Sequence, residues 1–427
     1  MLAIFGICLL FTFMFAGLPV AMTLILSGAI GLFAVGGTRL LVGILTSTPL
    51  ASIQGFEFLS VPMFILMANF IIVSRVSDDL FSVAKIWMGR IPGGLAHATA
   101  LTGALFGAIS GSSTAAAATL STTSIPGMLK QGYSMKLATG VAAISGTLAI
   151  LIPPSVAMVI YALLAQMSVG KMLIAGILPG ILVTLTIMVT VMILVWRNPD
   201  HAPPARGYSF REKVVSLRSS WTFIFLFMLV TGIIYTGIAT PTEASAFGAF
   251  GSFLLAVWRG ARFKQITRAL VTTVEASCMI AFIVLGAMIF GYFLTLTNAT
   301  QNLISYVMAS GLPGWVVIVL LLFMYLVMGC FMDMIAMLIL TIPLVQPLIV
   351  QLGYDPIWFA VITIVMGEVG LVTPPYGMNV FVIAKYTKIP VEQVFRGSVP
   401  HVIAHLVAIA ILVVFPQIIL WLPSYMK

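Results

Sequence analysis

Asp333 is the only charged residue between Gly314 and Gly353, in a stretch that is otherwise almost wholly apolar. A lone carboxylate in such company caps a half-helix through its free N–H groups, lies in a binding site, or does both. Gly329 precedes it, and further on the chain runs Gly370-Leu371-Val372-Thr373-Pro374-Pro375-Tyr376-Gly377-Met378-Asn379. Thr373, before the proline pair, offers both a hydroxyl and a carbonyl oxygen. A related constellation lies upstream: Ser110-Gly111-Ser112-Ser113-Thr114, then Gly146, then Pro153-Pro154-Ser155. Serine hydroxyls ligate a cation or hydrogen-bond a carboxylate, and glycine and alanine allow close approach. Small residues also gather at tight helix-packing seams, so at this level both readings stand.

No catalytic constellation accompanies these residues. His97, His401 and His405 share no metal-ligand spacing and read as packing or interfacial groups, and Cys8, Cys278 and Cys330 sit in apolar segments as core thiols. Glu57, Glu243 and Glu275 start spans, where an acid suits the helix dipole. Glu368 falls in the second proline-broken segment as a proton-carrying or packing group. Without paired ionisable groups, a metal cluster or a nucleophile beside a base, the chain does not read as an enzyme. It has no nucleotide-binding motif for direct ATP drive, and a channel would need a continuous polar pore lining.

The elements that position these residues are membrane helices. Of 427 residues, 61% are hydrophobic and only 7% are charged, so lipid must solvate most of the surface. The apolar runs suit helices crossing a ~30 Å hydrocarbon core, and they lack the alternation of a barrel. The net charge of +9 comes from basic residues in short loops, which act as topology signals. The first run has neither the basic start nor the exit site of a cleaved leader, so it reads as a span.

The chain repeats itself. Pro92-Gly93 recurs as Pro313-Gly314, a shift of 221 positions. At the same shift Pro126 matches Pro347, Gly132-Tyr133 matches Gly353-Tyr354, and Gly146 matches Gly367. Pro153-Pro154 matches Pro374-Pro375, Gly176 matches Gly397, and Pro179 matches Pro400. Proline and glycine positions are set by backbone geometry, so a shared register means duplication. The first repeat, 1–197, holds spans near 2–16, 19–36 and 57–74, an amphipathic arm over 77–90, an interrupted segment over 93–131, a broken helix over 137–163 and a last span near 172–196. A basic linker, 198–219, follows, with Arg206, Arg211, Lys213 and Arg218. The second repeat, 220–427, has spans near 220–238, 242–258 and 274–294, an arm over 298–312, an interrupted segment over 313–352, a broken helix over 356–385 and a last span near 398–425.

Each interrupted segment is two spans or one re-entrant hairpin. Basic residues flank both ends of the first (Arg75, Lys85 and Arg90; Lys130 and Lys136), and its tip has no charged loop to expose, which favours the hairpin. Each half then has about five spans, and an odd number inverts the second half. The charge bias agrees: Lys385, Lys388 and Arg396 follow the second broken helix, where the first half offers Lys171. The linker is expected in the cytoplasm and both termini outside. The expected fold is all-α and polytopic, with two inverted-topology repeats, each carrying a re-entrant hairpin and a broken helix.

Six stretches in order carry a family resemblance: Glu57-Phe-Leu-Ser-Val-Pro-Met-Phe-Ile-Leu-Met, Ile109-Ser-Gly-Ser-Ser, Ile152-Pro-Pro-Ser, Thr240-Pro-Thr-Glu-Ala, Gly329-Cys-Phe-Met-Asp and Gly370-Leu-Val-Thr-Pro-Pro-Tyr-Gly-Met-Asn. Over essentially its whole length the chain resembles the large, DctM-type membrane subunit of tripartite ATP-independent periplasmic (TRAP) transporters. The resemblance implies sodium-coupled uptake of a small organic anion across the bacterial inner membrane by an elevator mechanism, on a fold like the ion-transporter superfamily. It implies two partners, a small four-helix DctQ-type membrane subunit and a soluble DctP-type periplasmic binding protein. It implies about two Na+ sites, one around Ser110, Ser112, Gly146 and Pro153 and the other around Gly329, Gly370, Thr373 and Gly377. Ser112, Ser155 and Asp333 are expected to face the substrate. The chain departs from the pattern at Gly367, near which an asparagine is common, and at Tyr376, where a small aliphatic residue is usual. Its first hairpin tip is also rich in alanine. A stand-alone sodium-coupled carboxylate transporter of the same architecture is the alternative reading.

Overall fold

The computed structural model describes residues 2–203 and 207–426; Arg206 of the basic linker lies outside the described residues. Every regular element among them is helical. The first half runs α1 (Leu2–Phe15), α2 (Val20–Ile53), α3 (Ser60–Val73), α4 (Val76–Met88), α5 (Gly94–Ser110), α6 (Ser113–Thr123), α7 (Ile125–Lys130), α8 (Met135–Leu151), α9 (Val156–Leu164), α10 (Val169–Ala175) and α11 (Ile177–Arg197). The second runs α12 (Phe210–Tyr235), α13 (Pro241–Trp258), α14 (Phe263–Leu296), α15 (Ala299–Ala309), α16 (Gly314–Phe331), α17 (Met334–Gln351), α18 (Pro356–Gly370), α19 (Met378–Thr387), α20 (Val391–Val414) and α21 (Gln417–Ser424). Among the described residues eight helices are long and apolar enough to cross a membrane, or nine if α8 and α9, bent by 42° at their break, form one span.

The interrupted segments are hairpins. Gly111, at φ +57°, ends α5 and turns the chain into α6. The far ends of the two limbs return to one place, because Leu95 N donates to Tyr133 Oη at 3.2 Å. The second hairpin closes the same way: a Cβ on Gly314 would stand 3.0 Å from Tyr354 Oη. Both tyrosines occupy the positions that the repeat matches. Each interrupted segment is thus a helical hairpin whose two ends lie together.

Prolines break α8 from α9 and α18 from α19, since they lack the N–H that continues the helix. Pro153-Pro154 and Pro374-Pro375 are joined by cis peptide bonds at matching positions. Within each repeat the first hairpin limb packs on the helix before the break, α5 on α8 and α16 on α18. Between repeats the second limbs exchange partners: α6 packs on α19, and α17 on α9. This reciprocal exchange is what two related, oppositely oriented halves produce around one centre.

Around this core stands a frame in which α2 packs on α14, α3 on α13, and α12 on α4. Its seams set small residues against large ones, since lipid leaves helices no hydrophobic drive toward each other. Gly6 and Gly31 form the notch that holds Phe293, and Gly28 lies against the backbone of Phe290.

Three details were not legible in the residues. The α2 helix continues to Ile53 past a kink at Gly36-Gly37, and α14 begins at Phe263, ahead of the span expected from 274. The linker is helical from Phe210, continuous with the following span. In each case an apolar run marks the segment that crosses hydrocarbon, whereas helical hydrogen bonding continues beyond it.

The tightest contact joins the core to the last span: a Cβ on Gly140 of α8 would lie 2.1 Å from the carbonyl oxygen of Gly397 in α20. Gly140→Ala is therefore expected to destabilise the protein by about 1–3 kcal/mol or more. Gly232→Ala, in open space within α12, is expected to cause no loss. Thermal melting of both variants in detergent checks the contrast.

Candidate functional site

Each hairpin tip abuts the break of its own repeat. At the first, a Cβ on Gly111 would lie 3.3 Å from Val156 N and 3.6 Å from Pro154 O. At the second, Gly377 N donates to Cys330 O at 3.3 Å, and a Cβ on Gly329 would stand 3.1 Å from Gly370 Cα. Large side chains cannot enter these crossings, which explains the small residues on both sides.

Four helices begin at these places, α6, α9, α17 and α19, and each start leaves N–H groups without a partner in its own helix. Ser112 Oγ accepts from Ala115 N at 3.4 Å, and Ser155 Oγ accepts from Met158 N at 3.3 Å. Asp333 Oδ2 accepts from Ile335 N at 3.1 Å. Gly377 starts α19 with φ +55° and no side chain to offer. The helices that Ser112 and Gly377 cap pack on each other, as do those that Asp333 and Ser155 cap. Four half-helix N-termini thus border the core of the molecule, and their aligned peptide dipoles favour negative charge beside them.

The C-terminal sides of the breaks supply oxygens. Val369 O accepts from Thr373 Oγ1 at 2.6 Å, and Ile150 O accepts from Ser155 Oγ. Thr373 O would lie 3.1 Å from a Cβ on Gly377. Gly329, Gly370, Thr373 and Gly377 are therefore drawn together, as their motifs suggest. Ser110, Ser112 and Pro153 flank the Gly111 crossing. Gly146 stands differently: it packs against Ala117 on the seam of α8 with α6, more than a turn before the break.

Several buried polar atoms here have no hydrogen-bond partner, namely Ser110 Oγ, both carboxyl oxygens of Glu368 and both amide atoms of Asn379. A buried hydroxyl without a partner costs about 1–3 kcal/mol, so Ser110 is placed to gain from a ligand. The residues alone drew little notice to Asn379, yet its backbone N donates to Leu371 O at 3.1 Å and ties the two sides of the second break together. Its place at the end of the Pro-Pro motif is the signal that marks it.

The two breaks differ in surroundings. Pro153, Pro154 and Ser155 are buried, whereas Pro374, Pro375 and Tyr376 are exposed. Tyr376 stacks on Phe381 with ring centroids 4.9 Å apart. A cavity of ≈1010 Å³ lies between core and frame, with Ile160, Gln166 and Pro343 on one wall and Phe56, Glu57 and Tyr292 on the other. Glu57 and Phe58 of the first family stretch line it, whereas none of the residues at the hairpin tips or the two Pro-Pro breaks does.

Residues 7–418 match the family model described as tripartite ATP-independent periplasmic transporter, DctM component. The chain is 35% identical over 375 residues to the C4-dicarboxylate TRAP transporter large permease protein DctM of Pseudomonas aeruginosa, covering 87% of each chain. It is 29% identical to the sialic acid TRAP transporter large permease protein SiaM of Vibrio cholerae, covering 96% of each. It is also 29% identical to the ectoine TRAP transporter large permease protein TeaC of Halomonas elongata, covering 95% of each. Among solved structures, the YdaH transporter of Alcanivorax borkumensis, whose topology is described as unusual, shares the fold with a TM-score of 0.66 at 14% identity, over 89% of each chain.

The capping geometry makes one quantitative statement. Ser155→Ala removes the acceptor at the start of α9 and is expected to cost about 1 kcal/mol, whereas Ser155→Gly costs only a few tenths. Thermal melting of the two variants, side by side, checks the order.

Proposed function

This chain belongs to the DctM component family of tripartite ATP-independent periplasmic transporters, and from that premise we propose that it carries out sodium-coupled uptake of a small organic anion across the bacterial inner membrane. The observation that carries the reading is that four half-helices, packed in two pairs, begin beside hydroxyl and carbonyl oxygens at two helix breaks and two hairpin tips. N-termini attract an anion, and freed carbonyls with hydroxyls suit sodium.

In this reading Ser110, Ser112 and Pro153 border one sodium ion, with Gly146 set back on the α8–α6 seam, and Ser110 Oγ, buried without a partner, is a donor atom that fits it. Gly329, Gly370, Thr373 and Gly377 surround the other. The ions supply positive charge beside the anion and couple its movement to the sodium gradient. Ser112 and Ser155 meet the substrate with hydroxyls next to free N–H groups. Asp333 meets a donor group of the substrate or balances the sodium charge, while still capping α17.

The division into frame and core supports an elevator, in which hairpins and broken helices move as one body against the frame. The cavity between the two bodies leaves room for such sliding. A small membrane subunit and a soluble binding protein that delivers substrate complete the system. The linker lies in the cytoplasm and the termini outside. The substrate belongs with the C4-dicarboxylates, sialic acids and ectoine named for its relatives.

Uptake into proteoliposomes containing all three components tests this. Labelled C4-dicarboxylate and sialic acid serve as probes, with an inward sodium gradient or potassium in its place. Wild type is expected to accumulate one probe only with sodium. Asp333→Asn and Thr373→Ala are each expected to slow initial uptake about tenfold or more, the scale of a lost charge-assisted or buried hydrogen bond. Undiminished sodium-dependent uptake in both variants would remove the site assignment, and equal uptake in potassium would remove the coupling.

A further inference from the structure

One charged surface stands apart from the transport site. At the end of the frame where α3 and α13 finish and α14 begins, three cavities adjoin. One, of ≈320 Å³, is lined by Arg75, Gln265 and Arg268. The next, of ≈380 Å³, is lined by Arg75, Gln265, Arg259 and Arg262. The last, of ≈430 Å³, is lined by Arg259, Arg218 and Asp79. Neighbouring cavities share arginines, so they form one groove.

The charge balance of this groove is one-sided. Five arginines face a single carboxylate, Asp79, which is already paired with Arg259. Arg259 is held further by donation to Ser219 O at 3.3 Å. Arg75, Arg262 and Arg268 stay exposed around the mouth. Guanidinium groups present planar forks of N–H donors that match phosphate oxygens in pairs.

The floor and flanks are apolar. Phe70, Ala256 and Ala269 form a buried cluster beneath the groove. Beside it Trp258 is 71% exposed and Phe263 83% exposed, and the outer faces of α13 and α14 carry on with Leu254, Val257, Leu270 and Val271, all exposed. Aromatic residues of this kind collect at the membrane–water interface. A cationic rim above the apolar outer faces of two membrane helices matches a ligand with a phosphate head and hydrocarbon tails. A free phosphate would use only the rim.

We propose that this groove binds an anionic phospholipid, with Arg75, Arg262 and Arg268 holding the phosphate and the acyl chains lying along α13 and α14. The site is on the frame, so the lipid anchors the frame in its leaflet while the core remains free. This inference rests on the membrane fold and not on which solute is carried.

Melting of the purified chain in detergent, with native mass spectrometry, tests it. Phosphatidylglycerol is expected to raise the melting temperature of wild type by about 5 °C and to remain bound in the spectrometer. Phosphatidylcholine and inorganic phosphate are expected to do neither. The triple variant Arg75→Gln, Arg262→Gln, Arg268→Gln is expected to lose most of the shift and at least about five-fold of the retained lipid, the scale of three lost surface charges. The corresponding Lys variant keeps the charge without the fork and is expected to fall between. Should the triple variant fail to fold, Arg268→Gln alone is read by lipid retention. An equal phosphatidylglycerol shift in the triple variant, or an equal shift with phosphatidylcholine, overturns the proposal. A matching shift with inorganic phosphate makes this a soluble-anion site and overturns it too. So does cross-linking of a photo-reactive amino acid at position 268 to a partner chain in whole membranes, which would make the groove a protein interface.

Discussion

A peptide group that loses its helical partner inside hydrocarbon has no water to turn to, and each such group left unsatisfied costs several kcal/mol. This chain breaks helices at four places, and the rest of the structure is arranged around satisfying them. Ser112, Ser155 and Asp333 each accept from a free N–H group in the first turn of a half-helix. At the fourth break the backbone serves itself, with Gly377 N bonded to Cys330 O and Asn379 N bonded to Leu371 O. The hairpins must return to their own bases, where Tyr133 and Tyr354 stand, because only then do their tips reach the breaks.

The two halves solve one problem with different residues. The first tip carries Ser112 and the second, at the matching position, Asp333, so one helix start is neutral and the other bears a charge. Ser155 caps α9, whereas its counterpart is Tyr376, which has no short oxygen to reach back. The start of α19 therefore moves one residue on, to Gly377, which adopts the left-handed conformation a side chain would resist. The second break is longer and more open than the first. A pseudo-symmetric fold thus yields two unlike breaks.

The frame and the core are joined by different means. Within the frame, glycine notches receive aromatic rings, giving close contacts between long helices. The core is tied together by its reciprocal exchange of hairpin limbs and broken helices. Open space lies between the two, near the ends of α9 and α14. Elsewhere frame and core touch directly, with α4 packed on α5.

Much of this was legible in the residues. The prolines and glycines that recur at a shift of 221 positions marked both hairpins, both breaks and the turns between them, because such residues are placed by local backbone geometry. Hydropathy located the spans, and the family motifs located the residues at each break. Other features depended on contacts between distant segments. The helical extensions of α2 and α14 carry no strong apolar signal, and their neighbours stabilise them. The exchange of partners between repeats, the burial of one break and exposure of the other, and the displacement of Gly146 to a seam are all decided by which surfaces meet. By itself the sequence determined where the backbone must break and which side chains stand at each break, since those are local constraints. Only the tertiary structure decided which breaks face each other and what encloses them, because packing between helices far apart in the chain sets those distances.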